Sequence, residues 1–128
     1  MRIVPFVSFG PHRLGLAEQE VLQHHGIPVR RVVTKEGLIE LDYGDCVVRL
    51  ETNRGTVEIT ARPELVELEN RSMSRFDLPS CLQELDSESL ESLGFMVSRR
   101  LGVAVDMDVA NDGWISVFVE GYWDSISQ

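Results

Sequence analysis

Between Val29 and Ala61 the chain carries four short apolar runs in close succession, VRRVVT, GLIELDY, DCVVRLE and TVEITA, divided by turn residues. This spacing constrains the fold more than any other feature. In the second run Ile39, Leu41 and Tyr43 alternate with Glu40 and Asp42, a period of two that lines one strand face with apolar side chains. The segment TNRG separates the third and fourth runs and GD the second and third, both hairpin signals. Connections this short join antiparallel neighbours, so the stretch is predicted to be an antiparallel meander.

The stretch LAEQEVLQHHG precedes it, with Ala17, Val21 and His25 four apart, and stops at Gly26 with Pro28 beyond. That is a narrow helical stripe ending on a helix stop. Ahead of the helix, RIVPFVSF reads as a strand or extended arm bent at Pro5, and GPHRLG as a connector. Past the meander, ELVELE is read as a strand or extended connection. LPSCLQELDSESLESLG contains a helix, or a turn and then a helix, with Asp86 or Ser87 as its N-cap. GVAVDMDVA is read as a strand, NDG as a tight turn, and WISVFVEGYW as the last strand.

The expected fold class is α+β in one domain spanning 1–128, an antiparallel sheet of meanders with two main helices. An acidic helix ending in Gly, followed by strand, polar turn and strand, occurs in both halves of the chain. This suggests an internal duplication with half-repeats 16–60 and 85–120.

Charge is distributed unevenly. The net charge of −9 lies wholly beyond residue 62: residues 1–62 hold eight Lys/Arg and eight Asp/Glu, residues 63–128 four and thirteen. Such a chain repels nucleic acid and anionic membrane and is steered toward a basic protein. The apolar runs are of strand length, too short to span a bilayer. The N-terminus lacks the longer apolar region of a signal peptide, so a cytoplasmic location is the expectation.

No motif names a reaction, and no cofactor or metal is expected. His24 and His25 are adjacent and on a helix point about 100° apart, so they do not grip one ion. His25 falls on the helix stripe and both are read as architecture. Cys46 and Cys81 lack CxxC spacing and any adjacent His or Lys, and are read as buried small hydrophobes. DMDVANDG is similar in outline to a calcium loop, but Ala110 replaces a ligand and Asn111 stands where glycine is required. Asp106 and Asp108, placed on one strand face, are read with Asp112 as partner-facing carboxylates.

Aromatic residues crowd the C-terminal segment among acidic ones. Trp114 and Phe118 share a strand face and are core candidates, whereas Tyr122 and Trp123 are expected to be exposed. Anchors of this kind, beside Asp106, Asp108, Asp112, Glu120 and Asp124, suit a basic protein partner better than nucleic acid.

The opening helix resembles the pattern of the BamE/SmpA-type domain: Gly, a hydrophobic residue, Ser or Thr, three variable positions, Val, then Leu-Gly-x-Pro. Gly15, Leu16, Val21, Gly26 and Pro28 match, while Ala17 and His25 depart from it. What this implies is a helix-then-meander shape. The wider layout resembles small cytoplasmic bacterial immunity proteins, which are short, acidic, α+β and free of catalytic motifs. That resemblance implies a non-enzymatic inhibitor occluding the active site of a cognate toxin, such as a secreted-effector domain, through an acidic surface. A non-catalytic scaffold or homodimeric subunit is the alternative. A small hydrolase using His24 or His25 with Asp106 and Asp108 is the third reading.

Overall fold

In the computed structural model, which describes residues 1–108 and 112–123, the fold is α+β and mostly sheet. Three two-residue strands, β1 (Ile3–Val4), β2 (Ser8–Phe9) and β3 (His12–Arg13), form a miniature meander where the sequence predicts a strand or extended arm followed by a connector. Helix α1 (Glu18–His25) follows. Its N-cap, Ala17, has no side chain to offer, but Glu20 Oε1 accepts from the Ala17 N–H at 3.1 Å. At its other end Gly26, at φ +80°, donates to Leu22 O.

Strands β4 (Arg30–Val33), β5 (Ile39–Asp42), β6 (Cys46–Glu51) and β7 (Gly55–Ala61) then form the meander that the apolar alternation predicted. Gly55 ends the TNRG turn at φ +71°, and a Cβ there would lie 2.7 Å from the Gly15 carbonyl oxygen. The turn therefore sits directly against the lead-in to α1. A bulge at Val57 shifts the β6–β7 register.

A separate hairpin of β8 (Leu65–Leu68) and β9 (Arg71–Ser74) precedes a 3₁₀ turn (Arg75–Asp77) and helix α2 (Leu78–Leu85). Here the sequence reading is corrected. Asp86 ends α2 and does not start a helix, and its buried carboxylate accepts from the Glu88 N–H at 3.0 Å and the Ser98 hydroxyl at 2.7 Å. The segment read as helix instead supplies β10 (Leu90–Ser92). It turns through Leu93 and Gly94, both at positive φ, into β11 (Phe95–Ser98). A two-residue turn of that handedness matches hairpin twist and is incompatible with a continuing helix.

The chain closes with β12 (Val103–Asp106) and β13 (Ile115–Phe118). The eight long-range strands form one antiparallel sheet in the order β10-β11-β12-β13-β7-β6-β5-β4. The order helix-then-four-strand meander thus occurs twice. The second such unit starts at Leu78, ahead of the boundary at 85 that the sequence suggested. The final strands of the two units, β7 and β13, pair at the centre through Ile59↔Val117 and Ala61↔Ile115.

One sheet face forms the main core. Leu41, Val48, Ile59, Val103, Val105, Ile115 and Val117 pack there with Val21 of α1, Leu78 and Leu82 of α2, Phe9 of β2, and Val66 and Leu68 of β8. Among the described residues the opposite face carries no helix. There Val97, Ala104, Phe118 and Trp123 make a smaller buried cluster under the C-terminal turn. Asp124, together with Ala110 and Asn111 of the β12–β13 loop, lies outside the described residues.

Candidate functional site

The helix-free face is ordered by strand register into rows of side chains that cross the sheet. One row runs Phe118–Glu58–Arg49–Glu40–Val32 through four successive strand pairs. A second passes through Val97, Ala104, Ser116, Thr60, Val47 and Asp42. Alternation sets the Arg and Glu of the first row outward, and pairing then brings opposite charges into contact.

The contacts are specific. Arg49 Nη1 donates to Glu58 Oε1 and to Thr60 Oγ1, each at 2.9 Å, while its Nε lies 3.4 Å from Glu40 Oε1. Trp123 Nε1 donates to the other Glu58 oxygen at 3.0 Å. The Thr60 and Ser116 hydroxyls share a hydrogen bond of 2.8 Å across the β7–β13 seam. Glu58 is buried, and each of its carboxylate oxygens accepts one of these donors.

Two concavities lie on this face. A hollow of about 660 Å³ is lined by Glu36, Glu40, Glu51, Tyr122 and neighbouring loop residues, with no basic side chain in its wall. Burial, followed by the charge of Glu58, pushes the Tyr122 phenol up to about 12, so it stays a neutral donor at physiological pH. A trough of about 340 Å³ is lined by Val47, Arg49, Glu58, Thr60, Phe95, Asp106, Trp114 and Ser116. On the helix side of the β12–β13 loop, a cleft of about 280 Å³ includes Phe76, Pro79, Met107, Asp106 and Asp108, with the Phe76 ring largely exposed.

The residues singled out in the sequence do not form one cluster. Asp106 ends β12 facing the trough. Asp108 lies beyond the strand, its N–H donating to Asp106 Oδ1 at 2.9 Å, so the two do not share a strand face as expected. Asp112 is exposed and pairs with Arg62 at 2.8 Å. Glu120 is exposed at the opposite end of β13, where its carbonyl receives Arg54. Tyr122 is half-buried. Trp123 is buried, correcting the expectation of an exposed anchor: β13 stops at Phe118, and a turn closed by Tyr122 N–H to Val119 O folds the indole onto Phe95 and Phe118.

Sequence reasoning missed the glutamates of the hollow, because the first half of the chain is neutral in total. Strand pairing instead brings Glu40 of β5 and Glu51 of β6 together with Glu36 of the β4–β5 turn around one hollow. It also missed a neighbour of Cys46. The thiol is buried 3.3 Å from His12 Nε2, and His12 stacks on His25 with ring centroids 4.3 Å apart. Burial, then the charges of Asp45 and Asp42, push the Cys46 thiol up to about 12, which keeps it protonated and non-nucleophilic. These imidazoles lie on the core side of the sheet and Asp106 on the other, so the geometry does not join them. Among the described residues no group of three His, Cys, Asp or Glu side chains is disposed to hold a metal. No helix among them is long and apolar enough to cross a membrane.

Comparison with known proteins adds nothing to this geometry: no family model, no curated protein and no solved structure matches the chain.

Proposed function

We propose that the chain is a non-enzymatic binding protein of the immunity or inhibitor type, which receives a basic surface of a protein toxin on its helix-free sheet face. The observation that carries this reading is the hollow lined by Glu36, Glu40 and Glu51, whose lining includes no basic residue although Arg49 lies 3.4 Å from Glu40 and Arg54 3.7 Å from Glu51. Three carboxylates in one concavity focus a negative field, and a basic partner is drawn to it faster than by diffusion alone. Tyr122 at the wall supplies an amphipathic contact of the kind that slows dissociation.

The test is affinity capture from the native host, followed by purification of the captured protein and stopped-flow association at several salt concentrations. The expected partner is basic and loses its toxicity or enzymatic activity on binding. Its association slows as salt rises, and Glu36→Gln with Glu51→Gln slows it roughly tenfold at low salt. A partner that binds without salt dependence and ignores both substitutions overturns the reading.

The second reading, a subunit that pairs with a copy of itself, is favoured by the edge of the sheet at β4, where Ile27, Val29 and Val33 are exposed. Arg30 and Arg31 lie on the same edge and oppose close approach of an identical strand, which puts this reading second. Sedimentation equilibrium decides it: a concentration-dependent dimer abolished by Val33→Lys is the expected result if self-pairing holds.

A further inference from the structure

The large sheet is open, and its two edges are β10, three residues long, and β4, four. Next to β4 the Thr34 N–H donates to Leu38 O at 2.8 Å. From there the alternation of an antiparallel ladder turns the backbone N–H and C=O of Val33 and Arg31 to the outer side. No described strand lies beyond β4 to take those groups up.

Unpaired backbone groups in a row are a template for a further strand, and an inward-pointing charge is one device that blocks it. Here that charge is already committed. Arg31 stands opposite the buried Leu41, on the helix side, and Glu18 of α1 holds its guanidinium through hydrogen bonds of 2.6 and 3.1 Å. The pair ties β4 to α1, so the edge is set before anything binds. Val33, on the same side, is 55% exposed.

On the helix-free face the edge ends both side-chain rows, with Val32 beside Glu40 and Arg30 beside Asp42. The Asp42 carboxylate accepts from the Gly44 N–H at 2.8 Å. Arg30 is exposed, and among the described residues no hydrogen bond or ion pair engages its guanidinium. A copy of the same strand brings its own arginines to this edge, whereas a strand carrying a carboxylate meets a complementary charge.

We propose that the β4 edge receives an extended segment of another protein as an added antiparallel strand, with an acidic residue opposite Arg30 and β-branched residues opposite Val32 and Val33. Backbone hydrogen bonds to Arg31 and Val33 supply affinity, and the alternating side chains supply selectivity. The assignment does not rest on the reading of the acidic hollow.

The experiment titrates the isotope-labelled full chain with acetyl-Ser-Val-Val-Thr-Glu-Val-Ser-amide and its glutamine and lysine counterparts, followed by amide NMR and hydrogen exchange. The expected result is saturable shifts centred on β4, with slower exchange at the Arg31 and Val33 amides, which gain acceptors. The glutamate peptide binds about two- to fivefold more tightly than the glutamine one, the scale of an opposite-charge cross-strand pair, and the lysine peptide binds weakest. Arg30→Glu, an exposed substitution, reverses the order of the glutamate and lysine peptides. Val33→Pro removes an outward N–H and spares the ladder to β5, so it weakens all three.

Equal affinities that Arg30→Glu leaves equal, or binding that leaves exchange at Arg31 and Val33 unchanged, overturn the assignment. Protection of those two amides that rises with protein concentration in the peptide-free chain also overturns it, since the occupant is then a second copy. If Val33→Pro does not fold, the order of the peptides on Arg30→Glu decides alone.

Discussion

Trp123 and Glu58, 65 positions apart in sequence, meet at 3.0 Å through the indole N–H and one carboxylate oxygen. Arg49 holds the other oxygen, so a buried carboxylate is shared between strand β6 and the C-terminal turn. The contact pins that turn over Phe118 and closes one end of the helix-free face.

Removing either donor leaves the Glu58 charge undersatisfied. Trp123→Phe keeps most of the apolar packing and removes the N–H, so it is expected to destabilise by about 1–3 kcal/mol. Arg49→Met removes the compensating charge and costs more, about 3–5 kcal/mol. Replacing Arg49 and Glu58 together by Met and Gln should recover part of the Arg49→Met loss. Urea unfolding of the wild type, Arg49→Met, Glu58→Gln and the double variant gives the coupling directly. Additive losses would mean that the ion pair contributes nothing as a pair.

The histidine stack predicts a pH dependence. Burial, then the neighbouring His25 charge, hold His12 below its ordinary 6.5, with Asp45 opposing, and burial, then His24, lower His25. Above 6.5 these imidazoles are neutral folded or unfolded and add no slope. As pH falls through 6.5 the unfolded chain takes up protons first, and stability drops until the lower folded values are passed. The urea midpoint is expected to fall between pH 7.5 and 5.5, and His12→Asn should flatten that fall. Glu18, held low by its hydrogen bonds to Arg31, loses its contribution only in the carboxylate range below this window.

The Cys46–His12 contact has the look of a nucleophile and base, and the electrostatics argue against it. With its thiol at about 12, Cys46 is ionised in roughly one molecule in ten thousand at pH 8. Its labelling by a disulfide reagent is expected to be no faster than global unfolding and insensitive to His12→Ala, once matched for stability. Rapid labelling that His12→Ala abolishes would show a working thiol–imidazole pair.

What the sequence revealed follows the strength of its local signals. The first meander was legible because Ile39, Leu41 and Tyr43 alternate cleanly and the turns at GD and TNRG are short. The second was blurred. Leu90 and Leu93, three apart among Glu and Ser, imitate a helical face, and only the positive φ of Leu93 and Gly94 converts that stretch to a hairpin. Trp123 appeared exposed because the alternation of WISVF was extended past Phe118, where the backbone in fact turns back. The charged row could have been found: pairing the β5–β6 and β6–β7 hairpins in register sets Glu40, Arg49 and Glu58 opposite one another in alternating sign. The burial of Glu58 could not, since it depends on an indole that arrives from the far end of the chain.

The seam between the two meanders carries the last prediction. Among the described residues, strands β7 and β13 form the junction between the two halves of the large sheet, and their core-side residues Ile59, Ala61, Ile115 and Val117 are all buried. Each half alone would expose a long central strand edge and half of that apolar row, so neither is expected to persist when the seam is weakened. Ile59→Ala removes buried methyl groups from the middle of the sheet and should cost about 2–5 kcal/mol. Because both halves rely on the same contact, the loss should appear everywhere at once. Residue-resolved hydrogen exchange on the variant is expected to show the amides of β5 and β6 and those of β11 and β12 losing protection by the same free energy. Retained protection in one meander while the other opens would show instead that the halves are independent folding units that only dock along β7 and β13.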